Sequence, residues 1–114
     1  METNNKYIKE ITEQLKTLNP YLILLFGSYA YGTPTEESDI DILLVTNDDF
    51  IPQTFTERLE YRLSIKKTVR EIAKKVPLDL LIYSRPMFDK LKELNSSFAK
   101  EILKNGKKLY ESNN

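Results

Sequence analysis

LLFGSYAYGTPTEESDIDILLV, residues 24–45, decides the fold of this chain. Two apolar runs flank a polar loop. The first run starts upstream at Tyr21 and ends at Phe26, directly before Gly27. A short continuous apolar run closed by a turn signal suits a buried strand better than a helix. Gly27 to Ser38 contains Gly32 and Pro34 and reads as a loop, with one helical turn expected from Ser28. Asp39 to Val45 reads as a second buried strand whose first residues are acidic, and Asn47, Asp48, Asp49 and Pro52 break it.

Working outward, Ile8, Ile11, Leu15 and Leu18 recur at three- and four-residue spacing, which predicts a helix that stops before Pro20. Downstream, Phe55, Leu59, Leu63, Val69, Ile72, Ala73 and Val76 trace an apolar stripe over 55–76, predicting the longest helix. Its other faces carry Arg58, Arg62, Lys66, Lys67, Arg70, Lys74 and Lys75. Leu78 to Tyr83 is a third apolar strand, entered through Pro77 and carrying Asp79. Two short helices over 87–94 and 96–104 follow, the second stopped by Gly106 as a C-cap, and 108–111 adds a short edge strand. This order implies an α/β or α+β sheet with helices packed on it. At 114 residues, one domain over 1–114 is expected.

Composition narrows the chemistry. Cysteine and histidine are both absent, which removes disulfides, thiolate and imidazole zinc sites, and the Ser-His-Asp triad. Any catalysis must run on carboxylates, hydroxyls, lysines or a hard metal. The N-terminus lacks a signal-peptide pattern, and YLILLF is too short to span a bilayer, so a cytoplasmic protein without membrane partners is expected. Net charge is zero, yet residues 1–56 carry three Lys against nine Asp and Glu, so the remainder is basic. Such segregation fits an anionic or acidic partner, although a solvated helix face is the preferred account of it.

Acids inside apolar strands are costly, because desolvating a carboxylate costs several kcal/mol without a compensating cation or hydrogen bonds. Asp39 and Asp41, two apart on a strand, leave the same face roughly 7 Å apart, close enough to bracket metal ions. Asp79 can complete the cluster from another strand. An all-oxygen ligand set selects Mg²⁺ or Mn²⁺, two ions in a clamp about the reacting phosphorus. Gly27 lets a ligand approach the backbone, and Ser28 adds a hydroxyl at the start of a helical turn, an arrangement suited to phosphate. Taken singly, Asp-x-Asp reads first as a pair of solvated loop acids, Asp79 as a strand-entry residue satisfied by Lys74 or Lys75, and Gly-Ser as a plain capped turn. Together they would hold a nucleoside triphosphate, with Asp79 orienting or deprotonating an attacking hydroxyl. Neither G-x-x-x-x-G-K-[ST] nor G-x-G-x-x-G occurs.

Residues 24–45 resemble the defining segment of the minimal nucleotidyltransferases of the DNA polymerase beta-like superfamily: GS, ten residues, then D-x-D. PLDLLIY resembles the strand bearing the family's third carboxylate, and SFAKEILKNGKKLYE is similar to the C-terminal part of stand-alone members. The resemblance implies the polymerase beta-like nucleotidyltransferase fold, a mixed central sheet of three to four strands flanked by helices. It implies Mg²⁺-dependent transfer of AMP from ATP, or NMP from another NTP, to a hydroxyl, with release of pyrophosphate. Stand-alone members pair with a small helical HEPN protein, so an antitoxin that adenylylates a HEPN-type toxin is the implied role. Carried over residue by residue, Gly27 and Ser28 contact phosphate, while Asp39, Asp41 and Asp79 are the catalytic metal ligands. One departure is Tyr31, where many members have Arg or Lys; Arg62, Lys66 and Lys67 are candidates to replace that charge.

Three functions follow as alternatives: the enzyme acting on a partner protein, an antibiotic-type nucleotidyltransferase with a small-molecule acceptor, and a non-catalytic antitoxin that binds by contact alone. The antibiotic-type enzymes are longer than this chain. KKTVREIAKK lacks interleaved aromatics, which disfavours nucleic acid as substrate. A homo-oligomer is left open.

Overall fold

The computed structural model describes residues 2–35 and 37–112. Helix α1 runs Glu2–Lys16 and buries Ile8, Ile11 and Leu15. Leu18 falls beyond it: the chain turns through Thr17 and Leu18, and Asn19 takes a left-handed φ of 52° that redirects it into Pro20. Strand β1, Leu22–Phe26, is followed by the single turn α2, Ser28–Tyr31, and by β2, Ile40–Val45. Asp39 therefore precedes its strand by one residue. After the capped helix α3, Phe55–Lys66, come a 3-10 turn Lys67–Val69 and the short helix α4, Arg70–Ala73. Strand β3 is Leu78–Tyr83, α5 is Arg85–Leu94, α6 is Ser97–Asn105 and β4 is Lys107–Glu111.

The four strands form one mixed sheet in the order β3-β2-β1-β4. β1 pairs antiparallel with both β2 and β4, and β2 runs parallel to β3. Because β1 and β2 are central and covered on both faces, nearly every side chain along them is buried, which is why they read as continuous apolar runs. On one face Ile23, Leu25, Ile42, Leu44, Leu80 and Ile82 pack against α1 and the 65–76 segment. On the other, Leu22, Leu24, Leu43 and Val45 pack against Phe88 and Leu91 of α5 and Ala99 and Ile102 of α6. Ser84 and Ser96 cap α5 and α6 by accepting from the Met87 and Ala99 amides. Among the described residues no helix is long and apolar enough to cross a membrane.

One expectation is corrected. The long helix expected over 55–76 is broken, and half of its predicted stripe faces outward. Phe55, Leu59 and Leu63 are 70%, 43% and 54% exposed, while Ile65, Val69, Ile72 and Val76 are buried. Tyr61 sets the rotation of α3. Its hydroxyl donates to Asp48 Oδ2 at 2.8 Å and lies 2.5 Å from Thr46 Oγ1, anchoring the helix to the end of β2. Tyr61→Phe is expected to lower stability by about 1 kcal/mol, because it strips a partner from two part-buried oxygens. Urea unfolding monitored by circular dichroism checks it. Gly106 is the C-cap of α6, as expected, with its amide donating to the Ile102 carbonyl and extended backbone at φ −66° and ψ 150°. A Cβ there would lie 2.5 Å from the Ile102 carbonyl oxygen, so the position must be small.

Candidate active site

The chain leaves β1 at Gly27 with φ 73° and ψ −162°, a conformation open essentially to glycine alone. Phe26 stands opposite Asp41 in the antiparallel register, so the first residue past the strand meets the Asp41 side chain. A Cβ on Gly27 would lie 3.0 Å from Asp41 Cγ and closer still to Oδ2. The glycine is thus demanded twice, by its dihedrals and by the carboxylate against it. The Gly27 carbonyl accepts from the Ala30 and Tyr31 amides, winding the turn, and no side chain caps α2. Gly27 and Ser28 are half-buried at the rim of the site.

Asp41 and Asp79 are register neighbours on the parallel strands β2 and β3. They share the sheet face on which Leu43, Val45, Leu81 and Tyr83 pack toward α5 and α6. Asp39, one residue before β2, is held at the same end by a loop in which the Thr35 amide donates to Ser38 Oγ at 2.8 Å and the Ser38 amide to the Thr35 carbonyl. Asp39 and Asp79 are exposed and only Asp41 is half-buried, so the desolvation expected for all three acids falls on one. Burial raises the Asp41 carboxyl above its ordinary value, and the charges of Asp79 and then Asp39 push it the same way.

Among the described residues no three Asp, Glu, His or Cys side chains converge into a set that could hold a metal by itself. The donors suit Mg²⁺ in a different manner. That ion keeps octahedral geometry with water and substrate phosphates and takes one or two carboxylates, rather than an all-protein cage. Asp41, half-buried and repelled by two neighbouring acids, is a position where an added cation is favoured.

Two contributors lie outside the motif. The Tyr31 phenol is raised above its ordinary value first by burial and then by the Glu101 carboxylate of α6, with Asp41 adding to the effect and the Gly27 amide opposing it. The position that departs from the family pattern therefore does face the site, as a neutral phenol. Glu101 had no signal in the sequence; α6 is brought over β1 by tertiary packing, with Phe98 edge-on to Phe26 at 6.0 Å. Of the basic candidates, Arg62 and Lys66 line a cleft with Asp79, joined there by Arg58, whereas Lys67 does not. The strand order places that cleft across β2 from the Gly27–Ser28 turn, so these cations stand beside the third acid and not beside the turn.

Comparison with known proteins gives the family. A family model described as "Polymerase beta, Nucleotidyltransferase" matches residues 6–114. A Methanocaldococcus jannaschii protein, provisionally named protein adenylyltransferase MJ0604, is 37% identical over 108 residues, covering 92% of this chain and 96% of the relative. The crystal structure of a toxin–antitoxin with AMP-PNP superposes with a TM-score of 0.56 at 25% identity, covering 94% of this chain and 74% of that one. A Sulfolobus solfataricus protein, provisionally a nucleotidyltransferase, shares the fold with a TM-score of 0.58 at 19% identity, over 93% of this chain and 78% of its own. The chain belongs to the polymerase beta nucleotidyltransferase family, as a minimal nucleotidyltransferase domain.

Proposed function

We propose that the protein transfers AMP from ATP to a hydroxyl of a partner protein, as the antitoxin of a toxin–antitoxin pair whose toxin is a small helical HEPN protein. The observation that carries the chemistry is the position of Asp41, against the Gly27 turn on one side and beside Asp79 on the other. The name of the Methanocaldococcus relative supports a protein acceptor, and the toxin–antitoxin neighbour with AMP-PNP supports the pairing and an adenine nucleotide.

In this reading the Gly27–Ser28 turn seats the triphosphate, and Asp39 and Asp41 would hold Mg²⁺ with Asp79 able to join them. Held there, the ion would supply neutralisation of charge on the phosphates and the departing pyrophosphate. Asp79 orients the acceptor hydroxyl and takes its proton. The acceptor oxygen forms a bond to the α-phosphorus while the bond to the bridging α–β oxygen breaks, and pyrophosphate leaves with that electron pair. Asp41 must be ionised to hold the cation, and a cation held there would offset the repulsion from Asp79 and Asp39.

The test is to incubate the purified protein with labelled ATP, Mg²⁺ and any small helical protein that a neighbouring gene encodes. Wild type is expected to label that partner, and Asp39→Asn to do so about 100-fold more slowly, as befits loss of one charged ligand. A wild type that labels nothing, or an Asn variant that labels equally, would refute the reading. Chelation by EDTA is expected to stop labelling, and added Mg²⁺ to restore it.

A further inference from the structure

The cleft beside Asp79 carries more positive charge than the protein itself uses. It has a volume of ≈ 360 Å³ and follows β3, the sheet edge with no strand on its outer side. Arg58, Arg62 and Lys66, each four residues apart on α3, form one row along it. Four ion pairs form among the described residues, all between neighbours three apart, and none includes these cations or Asp79. On a convex helix face, unpaired cations need no explanation. Here they wall a concave surface that also contains the buried Leu80 and Ile82, a shape and lining suited to a ligand.

Strand order says from which side that occupant comes. The Gly27–Ser28 turn lies beyond β1 and Asp79 on β3, on opposite sides of Asp41. In-line displacement requires the attacking oxygen to approach opposite the leaving phosphate. With phosphates on the β1 side, the acceptor enters from the β3 side, through the cleft. We propose that the cleft receives an acidic polypeptide segment bearing the acceptor hydroxyl, with Asp or Glu beside that hydroxyl held by Arg58, Arg62 and Lys66. This rests on the transfer reaction proposed above. Guanidinium groups bind carboxylates through paired hydrogen bonds and so fix orientation as well as position. The exposed row Phe55, Leu59 and Leu63 on the same helix offers the rest of the partner an apolar contact.

The full chain is titrated at low ionic strength with fluorescein-labelled peptides of equal length, one with a central tyrosine among glutamates and one with the tyrosine among lysines, and with a single-stranded RNA. Anisotropy is expected to show the glutamate peptide binding at least about tenfold more tightly than the lysine peptide. The Arg58→Ala/Arg62→Ala double variant should weaken that binding by about tenfold, with its melting midpoint and Mg²⁺–ATP affinity unchanged. Equal binding of the two peptides, no effect of the double variant, tighter binding of the RNA, or a loss that falls on ATP affinity instead would each overturn the proposal. Binding requires no catalysis. A glutamate peptide that binds as expected but is never labelled supports the cleft and counts only against the transfer reaction.

Discussion

Asp41→Asn is expected to slow nucleotidyl transfer by about 1,000-fold or more while leaving the protein at least as stable as wild type. Each tenfold in rate corresponds to about 1.4 kcal/mol of transition-state stabilisation, and a metal-held charge contributes several kcal/mol. Asparagine keeps the shape of the side chain and removes the charge that holds the cation. Stability moves the other way for a definite reason. Burial and the charges of Asp79 and Asp39 raise the Asp41 carboxyl in the fold, so its ionised form is less favourable there than in the unfolded chain. That penalty is present above the folded value and vanishes as the group protonates, and neutral Asn removes it at every pH. Transfer of labelled AMP and the melting midpoint, measured on one preparation, decide the matter. An activity within tenfold of wild type, or a lowered midpoint, would show that Asp41 has a structural role instead.

Gly27→Ala is expected to lose both stability and activity. The φ of 73° with ψ −162° costs a residue with a Cβ about 1–3 kcal/mol, and the overlap with Asp41 adds to it. A total near 2–4 kcal/mol corresponds to a fall of roughly 10 °C in melting midpoint for a domain of this size. Relief of the overlap moves the Asp41 carboxylate, so transfer should fall even at temperatures where the variant is folded. Gly32→Ala supplies the control. Gly32 also has a positive φ, 81°, but a Cβ there meets nothing within 4 Å, so a loss of about 1 kcal/mol and no change in activity are expected. Equal behaviour of the two variants would remove Asp41 from the explanation.

The central strands were legible because β1 and β2 are buried on both faces and so leave uninterrupted apolar runs. The turn at Ser28, the strand carrying Asp79 and the edge strand near residue 108 were legible from local punctuation by glycine and proline. Periodicity failed on α3. Phe55, Leu59 and Leu63 repeat as a helix core would, but the rotation is fixed by Tyr61 bonding to Asp48 and Thr46, a contact between elements that no local pattern records. The second demand on Gly27 was hidden likewise, since it depends on the register that sets Phe26 against Asp41. Glu101 and Arg58 carried no mark at all. Each is an ordinary charged residue on a helix, and only packing brings one toward Tyr31 and the other to the cleft. The acids were identified by type and spacing, yet their exposure differs from what continuous apolar strands suggested, because they sit where the strands begin.

The pairing of β1 with β4 has a consequence in time. Ile23 finds its partner in Tyr110, 87 positions further along the chain. At ribosomal speeds of about 5–20 residues per second, that edge of β1 waits about 4–17 s after synthesis before its permanent neighbour exists. During that interval an apolar strand with unpaired amides is open to strands of other nascent chains. Strand β4 therefore governs how safely β1 is covered, and slow codons between residues 27 and 106 should lower the soluble yield more than the same codons placed before β1.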